Sequence, residues 1–481
     1  MKSEKDKVKG RSAAISLFAL HFTLSTLSVY HYIHMTNKRI FLIILGLSLI
    51  SHFIFFGHPK QVVFDEVHFG KFISGYYSHE YYFDIHPPLG KLIIAGFGKF
   101  FDFKPEFSFA QIGENFPDKK YLALRFLPTL AGALLAPVIF LLALELGLGQ
   151  WAAATAGALV ILDTALLVQS RFILLDAFLL LFGFSALACY FRAVRTKKSS
   201  WLVGFAIFSG LAISIKWTGI GFVGLAGIAA LWDAIKHKTW TKFFTEAVLF
   251  WAIIPGIIYY TVFAVHFALL PKSGAGDAFM SLAFQKSLIG NPNDGAPNVA
   301  PLSTFEKFIE LNAQMYSSNQ HLTATHSYSS PWYSWPLMSR PIYYWVDSTD
   351  PAAIARIYFI GNPLIWWGST IAVIFLIMHI FRTRKSPDRL ALLLIIGYFI
   401  NMLPFIGVQR VLFLYHYMPA LVIAILISVY CIEKFHPNPK KAFKIIVVAS
   451  LISFIFFAPL AYGLKLSPTE YNLRTWLKSW I

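Results

Sequence analysis

Apolar runs of roughly 17–25 residues recur along nearly the whole chain, and each is long enough to cross a bilayer core about 30 Å thick. They fall at about 39–57, 121–146, 151–168, 172–191, 201–216, 218–232, 243–269, 354–381, 390–408, 411–432 and 445–464. This predicts an all-α polytopic membrane protein with about eleven transmembrane helices. The charge content agrees: only 14% of the 481 residues are charged, where a soluble protein carries about a quarter. The formal charge of +17 would suit a nucleic-acid partner. Its basic residues, however, sit in short clusters between apolar spans, the pattern of loops that meet anionic headgroups. No nucleic-acid binding is expected.

Four clusters, Arg192 to Lys198, Lys236 to Lys242, Arg382 to Arg389 and Lys434 to Lys444, are short loops that strict alternation puts on one side, with Lys38 and Arg39. The positive-inside rule makes that side cytoplasmic. The N-terminus is then expected inside and the C-terminus outside, as are two long connections at about 58–120 and 270–350. In the first, Phe69, Phe72, Ile73 and Tyr76 form an apolar stripe at helical spacing, which suits a helix lying on the outer membrane surface. Leu473, Trp476, Leu477, Trp480 and Ile481 predict a second such helix near the end. Residues 13–35 read as a surface-lying helix, with an extra span or a start at Met35 as alternatives. The organisation expected is an N-terminal cytoplasmic or interfacial segment (1–38), a catalytic transmembrane module with its outer loops (39–350), and a four-helix module with an outer interfacial helix (351–481). Cys189 and Cys431 imply no structural disulfide. The absence of an Asn-X-Ser/Thr sequon favours a prokaryotic source, and with it the plasma membrane.

Sorting the polar residues by side gathers them outside. Asp65, Glu66, His68, Asp84, His86 and Lys91 lie in the first outer connection. Arg125, Asp163 and Asp176 lie near outer helix ends, with Gln169-Ser170-Arg171 at a turn. Lys216-Trp217, Gln409-Arg410 and His416 are at matching depth. Plainer readings exist for several. Asp65 and Glu66 suit the start of a helix, where carboxylates gain about 0.3–1 kcal/mol. Lys91 and Lys216 are long enough to snorkel toward headgroups, His416 sits where interfacial histidines are common, and the Trp-rich run at 332–345 suits an aromatic belt. Arg125 and Asp176 are harder to set aside, because a charge at that depth costs about 2.5–3.5 kcal/mol; a structural pair between them is the plain alternative.

The run Asp65-Glu66-Val67-His68-Phe69-Gly70-Lys71-Phe72, followed by Phe83-Asp84-Ile85-His86-Pro87-Pro88-Leu89-Gly90-Lys91, resembles the first outer loop of the protein O-mannosyltransferases. Leu162-Asp163, Gln169 to Ala177, Ser214 to Gly219 and Tyr415-His416-Tyr417-Met418-Pro419 are similar to further signatures of that family, in order, from about residue 60 to 420. The resemblance implies a GT-C membrane fold with eleven helices. It also implies transfer of mannose, with inversion, from a polyprenyl-phosphate carrier to Ser or Thr hydroxyls. No folded binding domain fits in the outer loops, so unfolded segments of secreted or membrane proteins are expected to reach them as they emerge from the translocation machinery. One departure stands out: eukaryotic members carry a β-trefoil domain before the last four helices, and about 80 residues there are too few for it. The chain is similar to the short prokaryotic members.

A sugar on a lipid phosphate already has a good leaving group, so the chemistry needs one carboxylate base and cationic donors for the departing phosphate, not a general acid. By the resemblance, Asp65 is the base, Glu66 supports the acceptor side or orients neighbours, and Arg125 holds the phosphate. His68, His86, Lys91, Arg171, Lys216, Arg410 and His416 surround donor phosphate and sugar, and Asp176 orients Arg125 or binds the sugar. Carboxylates and histidines of these types also bind divalent metals, but none has a metal-specific spacing and no metal is predicted. Two alternatives remain: a related GT-C transferase acting on a lipid or polysaccharide, and a transporter or flippase. The second would carry polar groups on both faces, whereas these are concentrated on one.

Overall fold

The computed structural model describes residues 36–293, 295, 299–321, 325–383, 388–408 and 410–480. The segment 13–35, with Met35, lies outside them. The chain begins with α1 (36–53) and two short helices in the first long connection, α2 (Glu66–Ser78) and α3 (Leu89–Lys99). Next come α4 (Tyr121–Glu145), α5 (Gln150–Ile161), α6 (Thr164–Ser170), α7 (Asp176–Thr196), α8 (Ser200–Ile215), α9 (Ile220–His237), α10 (Trp240–Glu246) and α11 (Ile254–Leu269). The second long connection carries α12 (Leu282–Gln285) and α13 (Thr304–His321), followed by strands β1 (Ile342–Asp347) and β2 (Ile354–Phe359). The remainder holds α14 (Pro363–Arg382), α15 (Arg389–Ile400), α16 (Met418–Phe435), α17 (Pro439–Tyr462), β3 (Lys465–Leu466) and α18 (Pro468–Asn472).

Among the described residues, eight helical segments are long and apolar enough to cross a membrane, and α5 with α6, bent by 59°, makes a ninth. With α1 and the 16-residue apolar α8, apolar helices occupy all eleven expected places. The 59° bend has a local cause. Asp163 leaves the helical region and accepts the Leu166 N–H at 3.0 Å, so it ends one helix and caps the next. The same carboxylate accepts Trp366 Nε1 at 2.8 Å and Asn362 N at 3.2 Å, tying the bend to the start of α14.

Three expectations change. Residues 354–362 are not helix. Ile354–Phe359 pairs antiparallel with β1 on one side and β3 on the other, and α14 waits for Asn362, which caps Leu364 N, and for Pro363. β-branched and aromatic residues fit a half-buried sheet, and Pro is favoured in the first helical turn. The fourth span starts at Asp176 and not at 172, because Ile173 N donates to Glu66 Oε1 at 2.9 Å instead of to a helical carbonyl. The end of the chain is not one interfacial helix: α18 stops at Asn472, and a 3₁₀ turn covers Lys478–Trp480. There Trp480 is buried and donates to Met338 O at 2.8 Å. Ile481 is outside the described residues. The apolar stripe at 69–76 does form a helix, α2, and its Phe69, Ile73 and Tyr76 are buried against the protein.

Candidate active site

Asp65 and Glu66 stand at the head of α2, the first partly buried and the second buried. Glu66 is fully buried. It accepts Val63 N at 2.8 Å, Ile173 N at 2.9 Å, and Arg125 through Nε at 2.7 Å and Nη2 at 2.6 Å. Arg125, on α4, gives its other hydrogens to the carbonyls of Pro59 and Gln61, both at 2.7 Å, and packs against the rings of Phe116, Tyr121 and Phe172. A guanidinium carries five N–H donors, and here they are spent on protein, with 0% exposure. Its partner is Glu66 and not Asp176, which corrects the suggested pairing with Asp176. Arg125 and Glu66 together rivet the loop to α4 and to the turn before α7.

Two other expected phosphate ligands are buried and bonded within the protein, though Arg171 Nε has no hydrogen-bond partner. Arg171 is 2% exposed, donates to Phe55 O at 2.7 Å and Ala461 O at 3.2 Å, and lies over the Tyr462 ring. Lys91 is 1% exposed and bonds the Asp84 carboxylate and, at 3.0 Å, His86 O. It thereby folds the His86-Pro87-Pro88 turn back on itself.

The remaining expected residues are Asp65, His68, Asp84, His86, Asp176, Lys216, Arg410 and His416. Asp65 occupies the N-cap position of α2 and Glu66 its first turn, so both carboxylates stand at a helix start as the plain reading has it, but Asp65 makes no side-chain capping bond there. Burial pushes its carboxyl up to about 7; Lys216 pulls it back, while Asp176 and Asp84 push it further up. Lys216, just past the end of α8, donates to Asp176 Oδ1 at 2.7 Å and lies over the Tyr415 ring. Asp176 Oδ2 accepts Gln169 Nε2 at 2.8 Å, and Gln169 Oε1 accepts the Tyr344 hydroxyl. His86 is partly exposed and sits 3.2 Å from Asp84. Burial raises the Asp84 carboxyl, but Lys91 and His86 more than offset this and hold it well below the usual carboxylate range. Burial likewise lowers His86, against the pull of Asp84. His68 is exposed on α2.

Arg410 is partly exposed at the edge of an open groove of about 800 Å³ that Trp332, Tyr333, Phe405, Ile406 and Val408 also line. Its Nη2 is 3.4 Å from His416 Nε2, while His416 Nδ1 lies 2.9 Å from Phe413 O and its ring stacks on Trp335. Among the described residues no group of three or more His, Cys, Asp or Glu is placed to hold a metal ion. The geometry adds Tyr344 and Phe64 to the residues expected here. Phe64 adjoins the Asp65-Glu66 motif, whereas nothing charged marks Tyr344, which belongs to an aromatic run and reaches the site through the sheet. A carboxylate that makes no side-chain capping bond and lies within electrostatic reach of Lys216 can accept a proton, while a nearby ammonium or guanidinium can receive an anionic group.

Comparison with known proteins points the same way. Residues 40–271 match a family model described as dolichyl-phosphate-mannose-protein mannosyltransferase, and residues 304–480 match one for the C-terminal four-transmembrane region of protein O-mannosyltransferase. The chain is 37% identical over 259 residues to protein O-mannosyltransferase 1 of Drosophila pseudoobscura, a match covering 51% of this chain and 28% of that relative. The chain thus spans about a third or less of the length of such relatives. Its fold is similar to the Saccharomyces cerevisiae Pmt1-Pmt2 complex bound to the sugar donor, with a TM-score of 0.85, 19% identity and 93% of each chain covered. It is also similar to ArnT from Cupriavidus metallidurans bound to undecaprenyl phosphate, at 0.51 and 13% identity, over 88% of this chain and 74% of that one. At those identities the likeness speaks for the GT-C membrane fold.

Proposed function

Because the chain belongs to the protein O-mannosyltransferase family, we propose that it transfers mannose from a polyprenyl-phosphate-mannose donor to Ser or Thr hydroxyls of secreted or membrane proteins. The reaction is assigned to the extracytoplasmic face of the cell membrane. The observation that carries this reading is Asp65, a partly buried carboxylate at the head of α2 with no capping bond whose proton affinity is raised to about 7, where a general base works best near neutral pH.

Asp65 takes the proton of the acceptor hydroxyl as its oxygen attacks the anomeric carbon from the face opposite the phosphate. The bond from that carbon to the phosphate oxygen breaks with its electrons, and polyprenyl phosphate leaves, giving inversion. Arg410 and His86, both partly exposed, and Lys216, buried and bonded to Asp176, are the groups assigned to receive the growing negative charge. His416 steadies Arg410, and Asp176 steadies Lys216. The groove beside Arg410 carries both Ser, Thr and His side chains and the rings of Trp332, Tyr333 and Phe405, and is assigned to the phosphate end of the donor and the first part of its lipid. The relative's name and the titles of the two similar structures, with their sugar donor and undecaprenyl phosphate, support a lipid-phosphate sugar.

The test is direct. Purified protein in liposomes, given labelled polyprenyl-phosphate mannose and a Ser/Thr-rich unstructured peptide, should yield labelled peptide. Label passing instead to a lipid or polysaccharide would move the protein to a related GT-C transferase of different acceptor class.

A further inference from the structure

We propose that Gln169 and Tyr344 are positioning residues, which couple the cation facing the donor to the carboxylate facing the acceptor. This deepens the transfer reading above and rests on it. Lys216, Asp176, Gln169 and Tyr344 form one continuous line of hydrogen bonds, and all four are buried. An ionised Asp176 only accepts, so the Gln169 amide must turn its NH₂ toward it, leaving Oε1 to accept the Tyr344 hydroxyl. Both Asp176 oxygens are thereby engaged, and Lys216 takes its place from the far end of the line.

That far end is joined to the base. The Tyr344 ring stacks on Phe64, with centroids 4.1 Å apart and planes 11° apart, and Phe64 N donates to Tyr344 O at 3.1 Å. Phe64 has φ +45°, a left-handed conformation that is costly for a bulky residue, and it directly precedes Asp65. The residue that terminates the hydrogen-bond line thus also braces the strained backbone that aims the carboxylate. β1 is built for this. Tyr343 pairs with Tyr358 and Trp345 with Ile357, so Tyr344 is the extra residue of a bulge, a device that redirects a side chain. Tyr415 closes the circuit, its ring 5.2 Å from Lys216 Nζ and edge-on to Phe64 at 6.4 Å.

The charged and titratable groups facing Asp65 are Lys216 beyond α8, Asp176 on α7, Asp84 before α3, Tyr344 on β1 and Tyr415. Of these only Lys216 favours the ionised base. Freeing Lys216 from its fixed place weakens that pull, so Asp65 then needs a higher pH to ionise.

Tyr344→Phe keeps the ring stack and removes only the hydroxyl; Gln169→Leu removes the amide. In infrared difference spectra over a pH titration, with Asp65→Asn used to assign the Asp65 carboxyl band, both variants should move its midpoint up by about half a pH unit or more. The acid limb of mannosyl transfer should move with it, and kcat should fall more than the donor KM rises. Should Gln169→Leu not fold, Tyr344→Phe decides. A midpoint unchanged from wild type, even with a lower Tm, would mean these residues only pack, and the inference would be overturned. Wild-type protein unable to transfer mannose would overturn the transfer reading instead, and the infrared titration would still decide the inference.

Discussion

Asp65 and Glu66 are chain neighbours with the same headgroup, and burial divides their work. Glu66 satisfies four N–H donors inside the protein, whereas Asp65 makes no capping bond. Asp65→Asn should therefore lower transfer by about 10²–10⁴-fold with folding intact, and near-normal activity would pass the role of base to another group. Wild-type activity should rise with pH through about 7, because only the ionised carboxylate accepts a proton. The stability effect has a definite sign. The folded-state value is raised, so the neutral form is favoured and stability is lost as pH rises from the unfolded value toward about 7. The Asn variant keeps that stability, and its Tm advantage should appear above pH 4 and level off above 7. Arg125→Ala should behave otherwise. It strands a buried carboxylate, costing about 3–5 kcal/mol, so Tm and yield should collapse before any donor affinity is read; a well-folded Arg125→Ala protein with weak donor binding would return Arg125 to the phosphate.

At the scale of elements, the site depends on how closely α2 is packed. A Cβ added to Gly70 would come 2.2 Å from the Phe109 ring, so the loop bearing Phe109 rests directly on the α2 backbone. Gly70→Ala should destabilise by about 1–3 kcal/mol, seen as a lower Tm, and Phe109→Leu in the same chain should recover part of it. No recovery would place the cost elsewhere on α2. The bend between α5 and α6 serves the same end, since Asp163 ties it to α14 and brings Gln169 within reach of Asp176 and Tyr344.

For the whole molecule, the side of the membrane is the decisive property. A lipid-linked donor and nascent acceptors are expected together outside, opposite the short basic loops. Lys104 and Lys238 are both exposed, one in the first long connection and one in a basic loop. Lys104→Cys should react with an impermeant thiol reagent in intact cells, and Lys238→Cys only after permeabilisation; the reverse result would invert the assignment. The two native cysteines are buried, which keeps the background low.

The sequence alone determined that the chain crosses a membrane many times and where its ionisable residues concentrate. Span length against bilayer thickness is a local property, and a dense charged motif such as 64–91 is visible without a fold. It did not determine which charges are free. Arg125 looks like a phosphate ligand until Glu66, 59 positions away, claims it; Lys216 meets Asp176 across 40 positions and Tyr344 meets Gln169 across 175. Hydrogen-bond capacity is finite, and whether a side chain spends it on protein or keeps it for substrate depends on neighbours that only the tertiary structure supplies.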